Sequence, residues 1–280
     1  MSSERTVGVS RLEVTVLVDD VSSRDDLRAE HGFAALLATD RGTMLFDVGA
    51  TAETVLSNAR TLDVDLSRVG AVALSHGHYD HTGGLAGVLA AIPEATVYMH
   101  PRTTVRRWSG RRRRNIGMSA ESIDATAGCR VVRVEGPLMT PEGLLLSGPV
   151  PGPASPAEKG FRAEVDGKRT DDDFVDEMFL LARTSRDAVL VSGCCHRGLV
   201  NTLDHARSLT GGDPVGTVIG GLHLRKLEGA DLDAVIVALH AAGTGHVIAG
   251  HCTGDDAVAY LSKHTSLNVE TFQTGFTRTW

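Results

Sequence analysis

The ten residues Ser75-His76-Gly77-His78-Tyr79-Asp80-His81-Thr82-Gly83-Gly84 constrain this chain more than any other stretch. They place three histidines and an aspartate within six residues: His76, His78, Asp80 and His81. Imidazole and carboxylate together suit Zn²⁺, Fe²⁺ or Mn²⁺. The run before them, Val69 to Leu74, is short and apolar and reads as a buried strand. The run after them, from Leu85 to Ala91, reads as the start of an apolar helix. The histidines therefore occupy a strand-to-helix loop, where side chains can converge on one point. Such a loop belongs to an α/β scaffold, and four donors this dense predict a metal site.

The other strands and helices extend that reading. Leu12 to Val18 alternates with period two. Phe33–Thr39 and Thr43–Phe46 form two further strands joined by Asp40-Arg41-Gly42. Thr51 to Leu62 has helical spacing, Ala95 to Met99 reads as a strand, and strand character resumes at Val131–Val134 and Gly143–Leu146. Residues 100–128 are polar, arginine-rich and poorly periodic, and suggest an insertion or lid. They include six arginines in the nine residues from Arg106 to Arg114. A proline-rich connection near Pro149–Pro156 leads to a polar stretch ending in Asp171-Asp172-Asp173. Beyond it the expected order is strands at Met178–Ala182 and Ala188–Val191, a helix from Leu199, and a strand at Pro214–Ile219. A helix at Leu232–Ala241, a strand at His246–Ala249 and a helix at Asp256–His264 complete it. Hairpins followed by strand–helix alternation, twice over, predict two sheets between helices, all in one domain over residues 1–280.

Three distal segments each follow an apolar strand, where α/β folds place their sites. Cys194-Cys195-His196 follows Ala188–Gly193, and extended spacing lets Cys194 and His196 face one side. His223 follows Gly220-Gly221 and suits a ligand, a general acid, a substrate contact or a core histidine. His251-Cys252 follows His246–Gly250.

The pattern His-x-His-x-Asp-His-x-Gly-Gly at the end of a strand resembles the metallo-β-lactamase superfamily. The resemblance implies an αββα sandwich. It assigns His76 and His78 to metal one, and Asp80 and His81, joined by His251, to metal two. It places Cys194 where the superfamily usually carries an aspartate that bridges both metals, so either Cys194 or His196 completes the set. Cys252 is expected behind the ligands or as a possible ligand. Asp47, in Leu45-Phe46-Asp47-Val48-Gly49, matches a family aspartate that orients the histidine loop. The usual third histidine of metal one, expected ahead of Met178, is absent, and only Asp173, Asp176 and Glu177 lie there. Together with Glu30-His31-Gly32-Phe33, Gly193–Asn201, Gly220–Leu224 and Gly250–Gly254, the motifs span residues 30–254. They resemble the branch that includes 7,8-dihydropterin-6-yl-methyl-4-(β-D-ribofuranosyl)aminobenzene-5′-phosphate synthases. The chain departs from that branch at Cys195, where serine is usual, and at Val48, where threonine is usual.

The implied activity is a binuclear, zinc-dependent hydrolase, with Asp80 and His223 in catalysis and Arg111, Arg112, Arg113 and Arg114 holding an anionic small-molecule substrate. A synthase-type transferase releasing phosphate is the alternative, and a di-iron redox protein a second one, for which 280 residues leave no room for an attached electron donor. A net charge of −7 argues against nucleic acid. The absence of an 18-residue apolar run argues against a membrane span, and the amino terminus lacks the apolar core of a signal peptide. The expected location is cytoplasmic. Four cysteines in so long a chain do not suggest a disulfide framework.

Overall fold

The computed structural model describes residues 8–110, 114–155 and 158–280. The chain runs first through β1 (Leu12–Val18), β2 (Ala34–Thr39), β3 (Thr43–Phe46), α1 (Ala52–Thr61) and β4 (Val69–Ala73). The helices α2 (Tyr79–Thr82) and α3 (Leu85–Ala91) lead to β5 (Thr96–Met99). Then follow β6 (Arg107–Ser109), β7 (Arg114–Asn115), α4 (Ala120–Thr126), β8 (Val131–Arg133), β9 (Leu138–Met139) and β10 (Leu145–Leu146). The hairpin of β11 (Phe161–Val165) and β12 (Lys168–Asp171) precedes β13 (Leu180–Arg183) and β14 (Ala188–Ser192). The carboxy-terminal part adds α5 (Leu199–Thr210), β15 (Thr217–Gly221), α6 (Ala230–Ala241), β16 (His246–Gly250), α7 (Asp255–His264), β17 (Asn268–Thr271) and β18 (Thr277–Thr279).

Alternation along the strands sorts these elements into four layers. In β4, Ala71 and Ala73 face the space between two sheets, while Val72 faces outward to helices. In β14, Val189 and Val191 face inward and Leu190 faces the opposite helices. Both faces are apolar, so both must be covered. The first sheet runs β18-β1-β2-β3-β4-β5-β8 and the second β17-β16-β15-β14-β13-β10-β9. They enclose a core that includes Leu12, Phe46, Leu180, Ile219 and Phe272. Val55 of α1 and Val88 of α3 cover the outside of the first sheet. Leu203, Leu239 and Leu261, from α5, α6 and α7, cover the second. Each such buried side chain stabilises the fold by about 1.5–3 kcal/mol. The arrangement is the αββα sandwich expected from the sequence.

Two stretches differ from their sequence reading. The polar stretch before Asp171 is the β11–β12 hairpin, which joins β6 and β7 in a third sheet of order β12-β11-β6-β7. Its turn, Asp166-Gly167, has both residues at positive φ, 51° and 72°, as a two-residue hairpin turn requires. That dipeptide was a readable signal, obscured because all of Lys168–Asp171 is exposed and shows no apolar alternation. The carboxy-terminal β18 returns to pair with β1, antiparallel, closing the edge of the first sheet. Within the expected insertion, Ile116 and Met118 are buried, and Ser119 caps α4 by accepting from the Ser122 N–H.

Candidate metal centre

Polar side chains gather where strands end. The loop after β4 carries His76 to His81, β14 leads to Gly193–His196, β15 to His223 and β16 to His251. Ligand atoms of His76, His78 and His196 lie within 4.8 Å of one another, and all three residues are buried. Their Nε2 atoms are buried without a hydrogen-bond partner. An orphaned buried polar atom costs about 1–3 kcal/mol, so three aimed at one point fit a cation that would satisfy them together. A second group, Asp80, His81 and His251, adjoins the first. Asp80 Oδ2 lies 3.8 Å from His81 Nε2 and 3.7 Å from His251 Nε2. Cys194 stands between the groups, with Sγ 3.2 Å from His81 Nε2.

Buried carboxylates hold these rings. Asp47 Oδ1 accepts the Ser75 N–H at 2.7 Å, and Oδ2 accepts from the Ser75 hydroxyl and from His81 Nδ1, each at 2.7 Å. A carboxylate only accepts, so His81 carries its proton on Nδ1 and presents a free Nε2. The Ser75 hydroxyl, its proton committed to Asp47, can accept from His76 Nδ1 at 2.9 Å, which leaves His76 Nε2 free as well. Glu177 accepts the backbone N–H groups of His196 and Arg197, at 2.5 and 2.6 Å. Asp176 accepts the Gly77 N–H at 2.8 Å and pairs with the fully buried Arg107, which also pairs with Asp172. At the second group, Asp19 accepts the His251 N–H at 2.8 Å and Asp20 contacts His251 Nδ1 at 2.7 Å. Two glycines permit this crowding. A Cβ on Gly77 would stand 2.0 Å from the Thr103 carbonyl oxygen, and one on Gly193 would stand 2.2 Å from the Ser75 hydroxyl.

The environment sets the charges. Burial, reinforced by neighbouring histidines, holds His76 and His78 well below the usual imidazole pKa, so both are neutral and able to coordinate. Burial raises Asp19 to about 6. Burial also pushes Asp20 upward, but hydrogen bonds with His251 and His31 outweigh it and keep Asp20 well below the carboxylate range. Glu158 is driven to about 2 against its burial by His196 and His223. Its Oε1 lies 3.2 Å from His196 Nδ1 and 2.9 Å from His223 Nε2.

A cavity of about 220 Å³ opens onto both groups, walled by His31, Tyr79, Arg114, Phe161, His223 and Cys252 among others. The Arg114 guanidinium lies 5.1 Å from the centre of the Tyr79 ring, with its Nη2 3.3 Å from the Tyr79 hydroxyl. A wider groove of about 460 Å³ lies beside it, bordered by Asp19, Asp20, His251 and the start of α7.

A family profile described as the metallo-beta-lactamase superfamily matches residues 27–177, more than half of the chain. The chain belongs to that superfamily. A metal-dependent hydrolase of the same superfamily, Tm1679, superimposes with a TM-score of 0.82 at 29% identity, covering 95% of this chain and 98% of that one. An uncharacterized protein of Methanocaldococcus jannaschii is 29% identical over 252 residues, 89% of this chain and 94% of its own. From the same organism, the 7,8-dihydropterin-6-methyl-4-(beta-D-ribofuranosyl)-aminobenzene-5′-phosphate synthase is 26% identical over 266 residues, 88% of this chain and 89% of its own. Among the described residues, no helix is long and apolar enough to cross a membrane.

Within this superfamily fold, the structure brings together His76, His78, Asp80, His81, His196 and His251, with Asp47 behind them and Cys194 between. His196 takes the place beside His76 and His78 for which the sequence offered no histidine. Asp176 and Glu177 hold backbone at the centre, while Asp173 pairs with Arg102 at the surface. Cys252, expected behind the ligands or as a possible ligand, lies with Cys194 and His223 at the cavity wall. Of the arginines expected to bind substrate, Arg114 lines the cavity and Arg111, Arg112 and Arg113 lie outside the described residues.

Sequence reasoning missed Asp20, His31 and Glu158. Asp19-Asp20 directly follows apolar β1, the same strand-end position that flagged the other motifs. His31 stands in Glu30-His31-Gly32-Phe33 and bridges Asp20 at 2.8 Å and Asp80 at 3.4 Å. Glu158 sits in an aperiodic connection that offers no signal at all.

Proposed function

We propose that this protein is a binuclear metallohydrolase that uses two divalent ions, zinc before Fe²⁺ or Mn²⁺, to act on an anionic substrate bearing a phosphate or ester. The observation that carries this reading is the convergence of three buried, unpartnered imidazole nitrogens beside the Asp80, His81 and His251 group. When bound, such ions lower the pKa of water to about 7 and polarise a substrate oxygen. His76, His78 and His196 would hold one ion, and Asp80, His81 and His251 the other. Asp80 has the further role of orienting the attacking water, its Oδ2 steadied by His31 Nε2 at 3.4 Å. Arg114, braced on Tyr79, offers a guanidinium fork to the substrate's anionic group. Residues 100–128 would serve as a lid. Phe161 and Ile116 contribute apolar wall to the cavity.

A second reading is supported by the synthase from Methanocaldococcus jannaschii, whose similarity spans 88% of this chain. The same groups would then hold the substrate while a phosphate or pyrophosphate leaves.

Elemental analysis of protein purified without added metal, followed by assay against phosphodiester, lactone, thioester and pterin-phosphate panels, tests both readings. Two equivalents of metal with water-dependent cleavage support the hydrolase. Phosphate release that requires a second organic substrate supports the synthase. Metal-free protein that takes up no ion on addition would refute both.

A further inference from the structure

Cys194, His223 and Cys252 form a cluster that the two proposed positions do not account for. Their ligand atoms lie within 4.8 Å of one another. With Zn–S bonds of about 2.3 Å and Zn–N bonds of about 2.0–2.1 Å in tetrahedral geometry, two ligand atoms of one ion stand about 3.6–3.8 Å apart. The trio would therefore draw together by up to about 1 Å to close on an ion. His223 is prepared for the role: Nε2 lies 2.9 Å from Glu158 Oε1, while Nδ1 is buried without a partner. A carboxylate beside one ring nitrogen, with the other nitrogen left free, is the arrangement that accompanies metal-ligating imidazoles. The backbone at His223 is at φ 49° and at His251, beside Cys252, at φ 50°. Non-glycine residues hold such angles where the surrounding structure imposes them, often at ligand sites. Both thiols are free, and a Cβ on Gly221 would stand 2.8 Å from Cys252 Sγ, so the glycine leaves the sulfur its room.

We propose that Cys194, His223 and Cys252 form a third metal position, soft in character, contiguous with the other two and sharing the Cys194 sulfur with the second. Two thiolates and an imidazole select thiophilic ions such as Zn²⁺, Cd²⁺ or Cu⁺ over Mn²⁺ or Mg²⁺. An open fourth position would face the cavity, where a substrate atom or water completes the ion. His223 is then a ligand, in place of the proton donor that its strand-end position suggests.

The test is titration of the full-length, metal-depleted protein with Co²⁺ or Cd²⁺, reading bound metal by elemental analysis and thiolate-to-metal absorption by spectroscopy. The wild-type chain should bind three equivalents, one of them accompanied by a thiolate band from two sulfurs. Cys252→Ser should bind two and lose about half of that band, since one of two sulfur donors is gone. His223→Gln should also bind two, and Mn²⁺ should stop at two equivalents in the wild type, Cys252→Ser and His223→Gln alike. His76→Ala should lose a different equivalent and leave the thiolate band intact, so failure of the binuclear reading and of this one are separable. A wild-type count of two would overturn the proposal. So would thiol titration showing Cys194 and Cys252 joined as a disulfide. The wild-type titration decides the matter even if a variant fails to fold.

Discussion

Replacing Asp47 by asparagine should uncouple the metal centre from its support without dismantling the fold. Asp47 is fully buried at φ 59°, a left-handed conformation that asparagine tolerates as well as aspartate. Its carboxylate receives three donors: the Ser75 N–H, the Ser75 hydroxyl and His81 Nδ1. An amide has one oxygen, so in either orientation its NH₂ meets a group that now donates. If it faces His81, the imidazole must move its proton to Nε2 and aim it at the ion. Ser75 would likewise cease to direct the proton of His76. Loss of a partner behind a metal ligand typically weakens binding 10–100-fold, or about 1.4–2.7 kcal/mol. The metal-free protein should lose about 1–3 kcal/mol for the donor–donor contact. Competition with a chromogenic chelator measures the first quantity and denaturant unfolding the second. A folded Asp47→Asn protein with unchanged affinity for both ions would refute the assigned protonation of His81 and His76.

His196→Ala should remove one metal equivalent by elemental analysis while Asp80, His81 and His251 retain the other, because only the first group includes His196. Arg107→Ala should cost about 3–5 kcal/mol in denaturant unfolding, since it strands the buried carboxylates of Asp172 and Asp176; lysine should not fully rescue it, lacking the planar fork that reaches both. Arg114→Ser should raise KM for phosphorylated substrates with metal content unchanged. The effect should amount to about 1.5–3 kcal/mol if substrate buries the contact and should shrink as salt is added. Gly193→Ala should lower metal affinity, because its Cβ would stand 2.2 Å from the Ser75 hydroxyl and 2.8 Å from Asp47 Oδ2; wild-type affinity in that variant would mean the loop is looser than its packing implies.

Much of the scaffold was legible because both sheets are covered on both faces. Strands such as Val69–Ala73 and Ala188–Ser192 appear as short apolar runs, and each announces a polar loop at its end. The histidine loop was legible for the same reason that it is functional, since its donors are too dense for packing to explain. Three-dimensional grouping was not. Cys194 and His196 are two residues apart and both reach His76, but His196 goes on to His78 while Cys194 goes on to His81. The departure comes at Cys195, whose φ of 63° breaks the extended geometry that the two-residue spacing presumes. Arg107 shows a different failure. In a run of arginines it reads as solvated charge, and only the two carboxylates that reach it from residues 172 and 176 reveal a buried brace.

The positive-φ residues tie these observations to one cause. Asp47, Cys195, His223 and His251 all adopt positive φ angles within three residues of the ends of β3, β14, β15 and β16. A strand delivers side chains alternately to its two faces, and here both faces are committed to apolar cores. A polar side chain that must point along the sheet edge, toward a common centre, therefore requires a sharp turn as soon as the strand ends. Each such turn in a non-glycine residue costs on the order of 1–3 kcal/mol, which the burial on either side of the strands readily exceeds. The sandwich thus does more than carry the site. By keeping apolar residues on both faces it leaves the strand ends as the place where histidine, cysteine and carboxylate can meet, and by its rigidity it holds backbone angles that a mobile loop would relax.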